Sequence, residues 1–274
     1  MSRSDVSPRL RLAQLGLDPK RSLGQHFLHD RAIVERICDV AGLTPDSLVV
    51  EIGPGLGILT EELASRVRTV VAIEKDDALA ASLRQIVPAN VRIINADALE
   101  FDLSEITDGP YSIVANLPYN VATAILRRFL DSQRRPASCT VMVQREVAER
   151  MMARPPDMGI LAVATQFHGQ PRIAFRVGRG AFTPPPNVTS AVVKIDVDPD
   201  PPLPQAEFEP FFDLVRAGFG TRRKQLKNSL SANAGIDAER LTAAFDAAGI
   251  PQQARAQELD VADWLRLYRA LRSG

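Results

Sequence analysis

Cysteine is nearly absent from this chain: Cys38 and Cys139 are the only two, and they lie far apart. That excludes a disulfide framework and a cysteine-built zinc site, and it assigns both thiols to the core. No apolar run approaches the length of a membrane span. The opening stretch MSRSDVSPRLRLAQLG has neither the apolar centre nor the small-residue cleavage site of a secretory signal, so a cytoplasmic protein is expected. There is no internal repeat and no Lys-Ser/Thr phosphate loop. Net charge is missing too, with 33 basic residues against 33 acidic ones. Any contact with a polyanion must therefore rest on local charge.

Local charge is present. Arg216 to Lys227 (RAGFGTRRKQLK) carries five basic residues and no acid, and seven arginines stand against three acids between Arg127 and Arg154. Arg172, Arg176 and Arg179 follow without an intervening carboxylate. One such cluster is ordinarily a solvated helix face; three in a neutral protein point to a nucleic-acid surface. Arg222, Arg223, Lys224 and Lys227 are the candidate RNA contacts.

With 274 residues, 45% of them apolar, the chain can build one large globular domain and a small one. Residues 1–30 are polar, basic and aperiodic, and read as a mobile arm. Asp30 is placed to cap a helix whose apolar positions Ile33, Val34, Ile37, Cys38 and Ala41 keep helical spacing up to Gly42. Short β-rich runs then alternate with amphipathic helices: SLVVEIG, TVVAIE, VRIINAD, YSIVAN and SCTVMVQ are strands, with helices between most of them. That alternation predicts an α/β fold with a parallel, doubly wound sheet. RIAFRVG and SAVVKIDV are expected to finish the sheet as an antiparallel pair. The expected divisions are a catalytic domain over 31–198, a stiff acidic linker over 199–206 in the DPDPPLPQ region, and a small all-α domain over 207–274.

EIGPGLG joins the first long strand to its helix. Gly53, Gly55 and Gly57 permit a tight turn and bring a ligand against main-chain N–H groups. Ile58 stands where the dinucleotide pattern G-x-G-x-x-G needs its third glycine, which disfavours a nicotinamide enzyme. The G-x-G-x-G spacing is the one usual in S-adenosylmethionine enzymes. Glu74 ends the next strand about 20 residues on, where an acid can accept from ribose hydroxyls. Asp97 follows at the end of INAD, placed for an adenine amine. Each acid alone would pass for a cap or a solvated turn. Three features in order at the carboxyl ends of successive strands indicate a nucleoside cofactor.

The fourth strand ends on the same edge in VANLPYN. Asn and Pro are ordinary turn residues, but here each has a chemical use. An adenine amine is a poor nucleophile because its lone pair is delocalised into the ring. Acceptors from the Asn116 side chain and the Leu117 main chain would favour a pyramidal nitrogen. Pro118 restricts Leu117 to an extended conformation, fixing where its carbonyl points. Tyr119 offers a ring face to an extruded base.

The segments GQHFLHD, EIGPGLG, INAD, NLPYN, AFTPPPNVTSAVVK and GFGTRRKQLKNSL together resemble the ribosomal RNA adenine N6-dimethyltransferases, specifically their bacterial small-subunit branch, over nearly the whole chain. The resemblance implies a Rossmann-like S-adenosylmethionine-dependent methyltransferase domain with a small helical C-terminal domain. It implies a role in ribosome biogenesis, without metal or membrane. Its substrate would be 16S ribosomal RNA in a small subunit or precursor, modified by a single chain at two adjacent adenines in a 3′-terminal hairpin loop. Gly53, Glu74, Asp97 and Asn116 match the family's cofactor contacts, as do His26 and Leu28. His26 replaces the family's usual Asn and brings a titratable ring in place of an amide. Phe182 matches a second aromatic that stacks on the adenine face opposite Tyr119; composition alone would make it a core residue. Two alternatives share the fold: a large-subunit dimethylase of the antibiotic-resistance type, and a non-catalytic RNA-binding assembly factor.

Overall fold

A computed structural model describes residues 8–20, 24–106, 109–221 and 224–273. The chain forms two compact units. One comprises residues 1–148 and 171–197, the other 149–170 and 198–274.

The first unit is built on a seven-stranded sheet. Its strands are β2 (Leu48–Ile52), β3 (Thr69–Glu74), β4 (Val91–Asn95), β5 (Ser112–Asn116), β6 (Ser138–Gln144), β7 (Gly169–Val177) and β9 (Ser190–Val197). They lie in the order β4-β3-β2-β5-β6-β9-β7. Pairings from β4 through to β6 are parallel, and β9 runs antiparallel to β6, with Cys139 opposite Ile195. The runs LVVEI and TVVAIE are buried along almost their whole length, as expected of parallel strands covered on both faces. Helices α3 (Ile58–Arg66), α4 (Asp77–Arg84) and α5 (Ala122–Leu130) fill crossovers, and α2 (Arg31–Ala41) precedes β2. The caps of α2 are those the sequence predicts: the Asp30 carboxylate accepts from the Ile33 N–H at 3.2 Å, and Gly42 closes the helix at φ 65°. Buried Lys194 on β9 adds a second restraint there, donating to the Ala41 carbonyl at 2.7 Å.

Two features position the site. The strand order reverses between β2 and β5, which both begin crossovers, and such a switch point opens a crevice beyond the carboxyl ends of the strands. The arm also has defined structure. Helix α1 (Pro8–Leu15) buries Leu12 with Phe27, Leu56 and Leu79, and β1 (Phe27–Leu28) pairs antiparallel with β8 (Phe182–Thr183). Lys20 reaches Asp76, the N-cap of α4, at 2.7 Å. The mobile arm expected over 1–30 is thus corrected for its described part, because three apolar side chains and an ion pair give it tertiary anchors.

In the second unit, α8 (Phe208–Phe219), α9 (Leu226–Ala234), α10 (Ala238–Ala248) and α11 (Val261–Ser273) form the expected helical body. Its boundaries differ from those expected. Helix α7 (Ile160–His168) belongs to it, with Phe167 5.1 Å from Phe208 and 4.9 Å from Phe211 between ring centroids. Leu203, inside the proline-rich stretch expected to be a linker, is buried in the same core. The sequence ILAVATQFH is apolar enough to join either core, and the aromatic cluster decides which.

Candidate active site

At the switch point, one cavity gathers the arm, the glycine loop, the ends of β3 and β5, and the segment after β4. Gly53 and Pro118 are neighbours on its wall: a Cβ on Gly53 would lie 3.8 Å from the Pro118 ring and 4.0 Å from the Asn116 carbonyl oxygen. Two separate motifs of the sequence thereby become one wall. Gly55 has φ 58°, and a Cβ there would meet the Phe27 ring at 3.0 Å. Glycine at 55 therefore serves both the left-handed backbone and the close approach of the arm.

Glu74, buried at the end of β3, accepts from the N–H of Gly55 at 3.1 Å and of Asp76 at 2.9 Å. Burial pushes its carboxyl pKa up, opposed by these main-chain donors. Asp97 lies two residues beyond β4. It pairs with Lys75 at 2.6 Å and accepts from the Leu99 N–H at 2.9 Å, and its pKa falls because of the Lys75 partner and the Leu99 donor. Asn116 donates through Nδ2 to the His26 carbonyl at 3.2 Å, which leaves Oδ1 as the acceptor end of that amide. The Tyr119 hydroxyl lies 2.5 Å from the buried Ser190 hydroxyl. Its ring stacks on His26, with centroids 5.6 Å apart and planes 27° from parallel. His26 Nδ1 donates to the Pro184 carbonyl at 2.8 Å.

Glu51 was not singled out in the sequence, although an acid inside the apolar run LVVEI is a signal. It lines the cavity, and its Oε2 is buried without a hydrogen-bond partner among the described residues. Burial raises its pKa to about 8. Such an oxygen is suited to a cationic ligand group. With the carboxylates of Glu74 and Asp97 and the Gly53–Gly55 backbone, the cavity fits a nucleoside bearing a cationic arm. Ser190 was also missed, and nothing in its spacing from Tyr119 could have revealed it.

Leu28, Gly53, Gly55, Glu74, Asp97, His26, Asn116, Leu117, Pro118 and Tyr119 all line the cavity. Gly57 does not. It begins α3 at φ 83°, and a Cβ there would press within 2.7 Å of Leu83, so its requirement lies in backbone conformation and packing. Phe182 is 2% exposed and packed in the core, outside this cavity's wall, with its strand β8 paired to β1. The ring facing Tyr119 is that of His26. Arg222 and Arg223 lie outside the described residues. Lys224 is exposed, whereas Lys227 is bonded to the Thr242 hydroxyl and Arg216 to Glu209 and Asp213. No helix among the described residues is long and apolar enough to cross a membrane.

Comparison with known proteins agrees with this geometry. The ribosomal RNA adenine dimethylase family model matches residues 16–273. The ribosomal RNA small subunit methyltransferase A of Dehalococcoides mccartyi is 43% identical over 256 residues, 92% of this chain and 88% of that protein. The Geobacillus thermodenitrificans protein of the same name is 40% identical over 273 residues, 95% and 93%. The crystal structure of the 23S rRNA methyltransferase ErmE superposes with a TM-score of 0.70 at 31% identity, over 90% of this chain and 99% of that one. A dimethyladenosine transferase from Plasmodium falciparum shares the fold at a TM-score of 0.76 and 22% identity, over 88% and 96%. The chain belongs to the ribosomal RNA adenine dimethylase family.

Proposed function

We propose that this protein uses S-adenosylmethionine to dimethylate N6 of two adjacent adenines in the 3′-terminal hairpin loop of small-subunit ribosomal RNA. The observation that carries the reading is the convergence of Asn116, Leu117, Pro118 and Tyr119 with the glycine loop, Glu74 and Asp97 in one cavity at the switch point. S-adenosylmethionine supplies a methyl group already activated on a sulfonium, so the protein has to place its nucleophile and has no need to generate one.

Each residue has a part in that placement. Glu74 accepts from ribose hydroxyls, and Asp97 from the cofactor's adenine amine. Glu51 offers its buried oxygen to the cationic arm, while Leu28 and the Gly53–Gly55 backbone shape the wall. Asn116 Oδ1 and the Leu117 carbonyl accept from the target amine and free its lone pair, and Tyr119 holds the base by stacking. Orientation of this kind can supply on the order of 7–11 kcal/mol of the barrier. Lys224, with Arg222 and Arg223, grips phosphates of the folded RNA, in keeping with their charge; Lys227 contributes its charge from beside Thr242.

Relatives at 40% identity and above carry small-subunit names, whereas the large-subunit enzyme stands at 31%; that ranking favours the small-subunit substrate. Primer extension on small-subunit RNA from cells lacking the protein tests it. Paired stops at the two adenines should be missing there and return on add-back. Restoration by Asn116→Ala would indicate a non-catalytic factor, and methylation confined to large-subunit RNA would indicate the other branch.

A further inference from the structure

His26 touches three elements of the site at once. Its main-chain carbonyl holds the Asn116 amide, its Nδ1–H holds the Pro184 carbonyl, and its ring covers a face of Tyr119. The ring contact conflicts with base binding as the site stands. Aromatic faces approach to about 3.5 Å, so two rings enclosing a base stand about 7 Å apart. The His26 and Tyr119 centroids are 5.6 Å apart. No adenine fits between them, and one of the two rings must give way.

Tyr119 is the fixed member. Its hydroxyl is tethered to Ser190, which is fully buried in β9. His26 is held differently. Its backbone is anchored by the bond from Asn116 and by the neighbouring Phe27, paired with Thr183. Its imidazole also has one hydrogen bond, but to the carbonyl of half-buried Pro184 in the loop after β8, whereas Tyr119 is tied to a fully buried strand residue. The side chain can therefore rotate away while the carbonyl keeps Asn116 oriented.

We propose that His26 is a base-mimicking gate: in the free protein its imidazole occupies the Tyr119 face, and the target adenine displaces it. This rests on the adenine-methylating reading above. A planar nitrogen heterocycle keeps Tyr119 covered and ordered until a base of larger stacking area replaces it. The gate selects for bases that stack well enough to compete, which makes His26 a specificity-determining residue.

The chain has three histidines, so His26 can be followed individually by proton–carbon NMR of its ring, identified by the loss of its signal in His26→Asn. His29 and His168 serve as internal references. The probe is a short RNA hairpin carrying the two adjacent adenines, added with S-adenosylhomocysteine, and methyl transfer to the same hairpin is measured in parallel. The His26 signals, shielded by the Tyr119 ring in the free protein, should move to unshielded positions as the hairpin saturates. His26→Ala, which keeps the main-chain carbonyl, should bind a hairpin with 2-aminopurine at the target position about 2- to 12-fold more tightly, the usual worth of one aromatic pair. That gain should vanish on a Tyr119→Ala background. Methyl transfer with His26 signals unmoved, or weaker docking by His26→Ala, overturns the gate and leaves the reaction standing. Absence of methyl transfer to both hairpin and small subunit overturns the reaction, and the gate with it.

Discussion

Replacing Glu51 with glutamine puts a group that cannot ionise in place of the most deeply buried acid of the cavity. Glu51 is 1% exposed. Its pKa is raised from 4.5 to about 8, by burial first, against the opposing effect of Thr60, and further by the nearby Glu74 charge. In the unfolded chain this carboxyl ionises near its ordinary value; in the folded protein it keeps its proton until about pH 8. The contribution of Glu51 to stability is therefore fully present below about pH 4.5 and is lost as pH rises through about 8. Each unit of difference is worth about 1.4 kcal/mol, so complete ionisation costs at most about 5 kcal/mol. Water entry and side-chain movement reduce that to about 2–4 kcal/mol. Glutamine is neutral throughout. Glu51→Gln should match the wild type near pH 5 and exceed it at pH 9, which at this size is a melting shift of about 5–15 °C. Paired melts at closely spaced pH values read the effect, and a stability difference that stays flat from pH 5 to 9 refutes the buried proton. A cation bound in the cavity favours the Glu51 anion, so binding of S-adenosylmethionine by the wild type at pH 7 should release a proton. Calorimetry in buffers of different ionisation enthalpy detects that release, and Glu51→Gln should abolish it.

Asn116→Ala removes the amide whose Oδ1 is proposed to accept from the target amine. It should lower methyl transfer by about 2–4 kcal/mol of barrier while cofactor affinity stays within a few-fold, and wild-type turnover at saturating RNA would contradict that role. Glu74→Ala should weaken S-adenosylmethionine by about 1.5–3 kcal/mol, the worth of hydrogen bonds to a charged acceptor. Unchanged affinity in a calorimetric titration would reduce Glu74 to a clamp on the Gly55 and Asp76 N–H groups. Neutralising Arg222, Arg223 and Lys224 together should weaken small-subunit binding and flatten its salt dependence by up to about one counterion per lost phosphate contact. A lowered melting temperature with an unchanged salt slope would instead make these residues part of the helical body.

What could be read from the sequence was governed by range. Periodicity and turn residues located β2 to β6, the caps Asp30 and Gly42, and the order of the loops on one sheet edge, because each is set by neighbours within a few positions. The placement of α7 was not legible, since an apolar helix carries no mark of which core it fills and the phenylalanine partners of Phe167 lie 41 or more residues later. Phe182 is the opposite case: the motif suggested a ring in the site, and the ring is buried, with β8 paired to β1. The contacts of Tyr119 with Ser190 and of His26 with Pro184 span 71 and 158 residues, and no local pattern could have indicated either.

A third long-range contact, from the Asn116 amide to the His26 carbonyl 90 residues away, bears on why residue 116 is an asparagine. In the proposed reaction its side chain has two tasks that need opposite polarity: a donor for the His26 carbonyl, which ties the arm to β5, and an acceptor for the target amine. Aspartate supplies only acceptors, so its carboxylate would oppose the His26 carbonyl at the 3.2 Å now spanned by a hydrogen bond and add an unpaired charge to a cavity already holding Glu74 and Asp97. Serine has one hydroxyl, too short to meet both groups from the same backbone position. Glutamine has the right pair of atoms on a stem one carbon longer, which would displace Oδ1 from the edge fixed by Leu117 and Pro118. The amide is the smallest group that can be held at one end and accept at the other. The amide itself needs no reorganisation when the base arrives, because the arm has already oriented the acceptor.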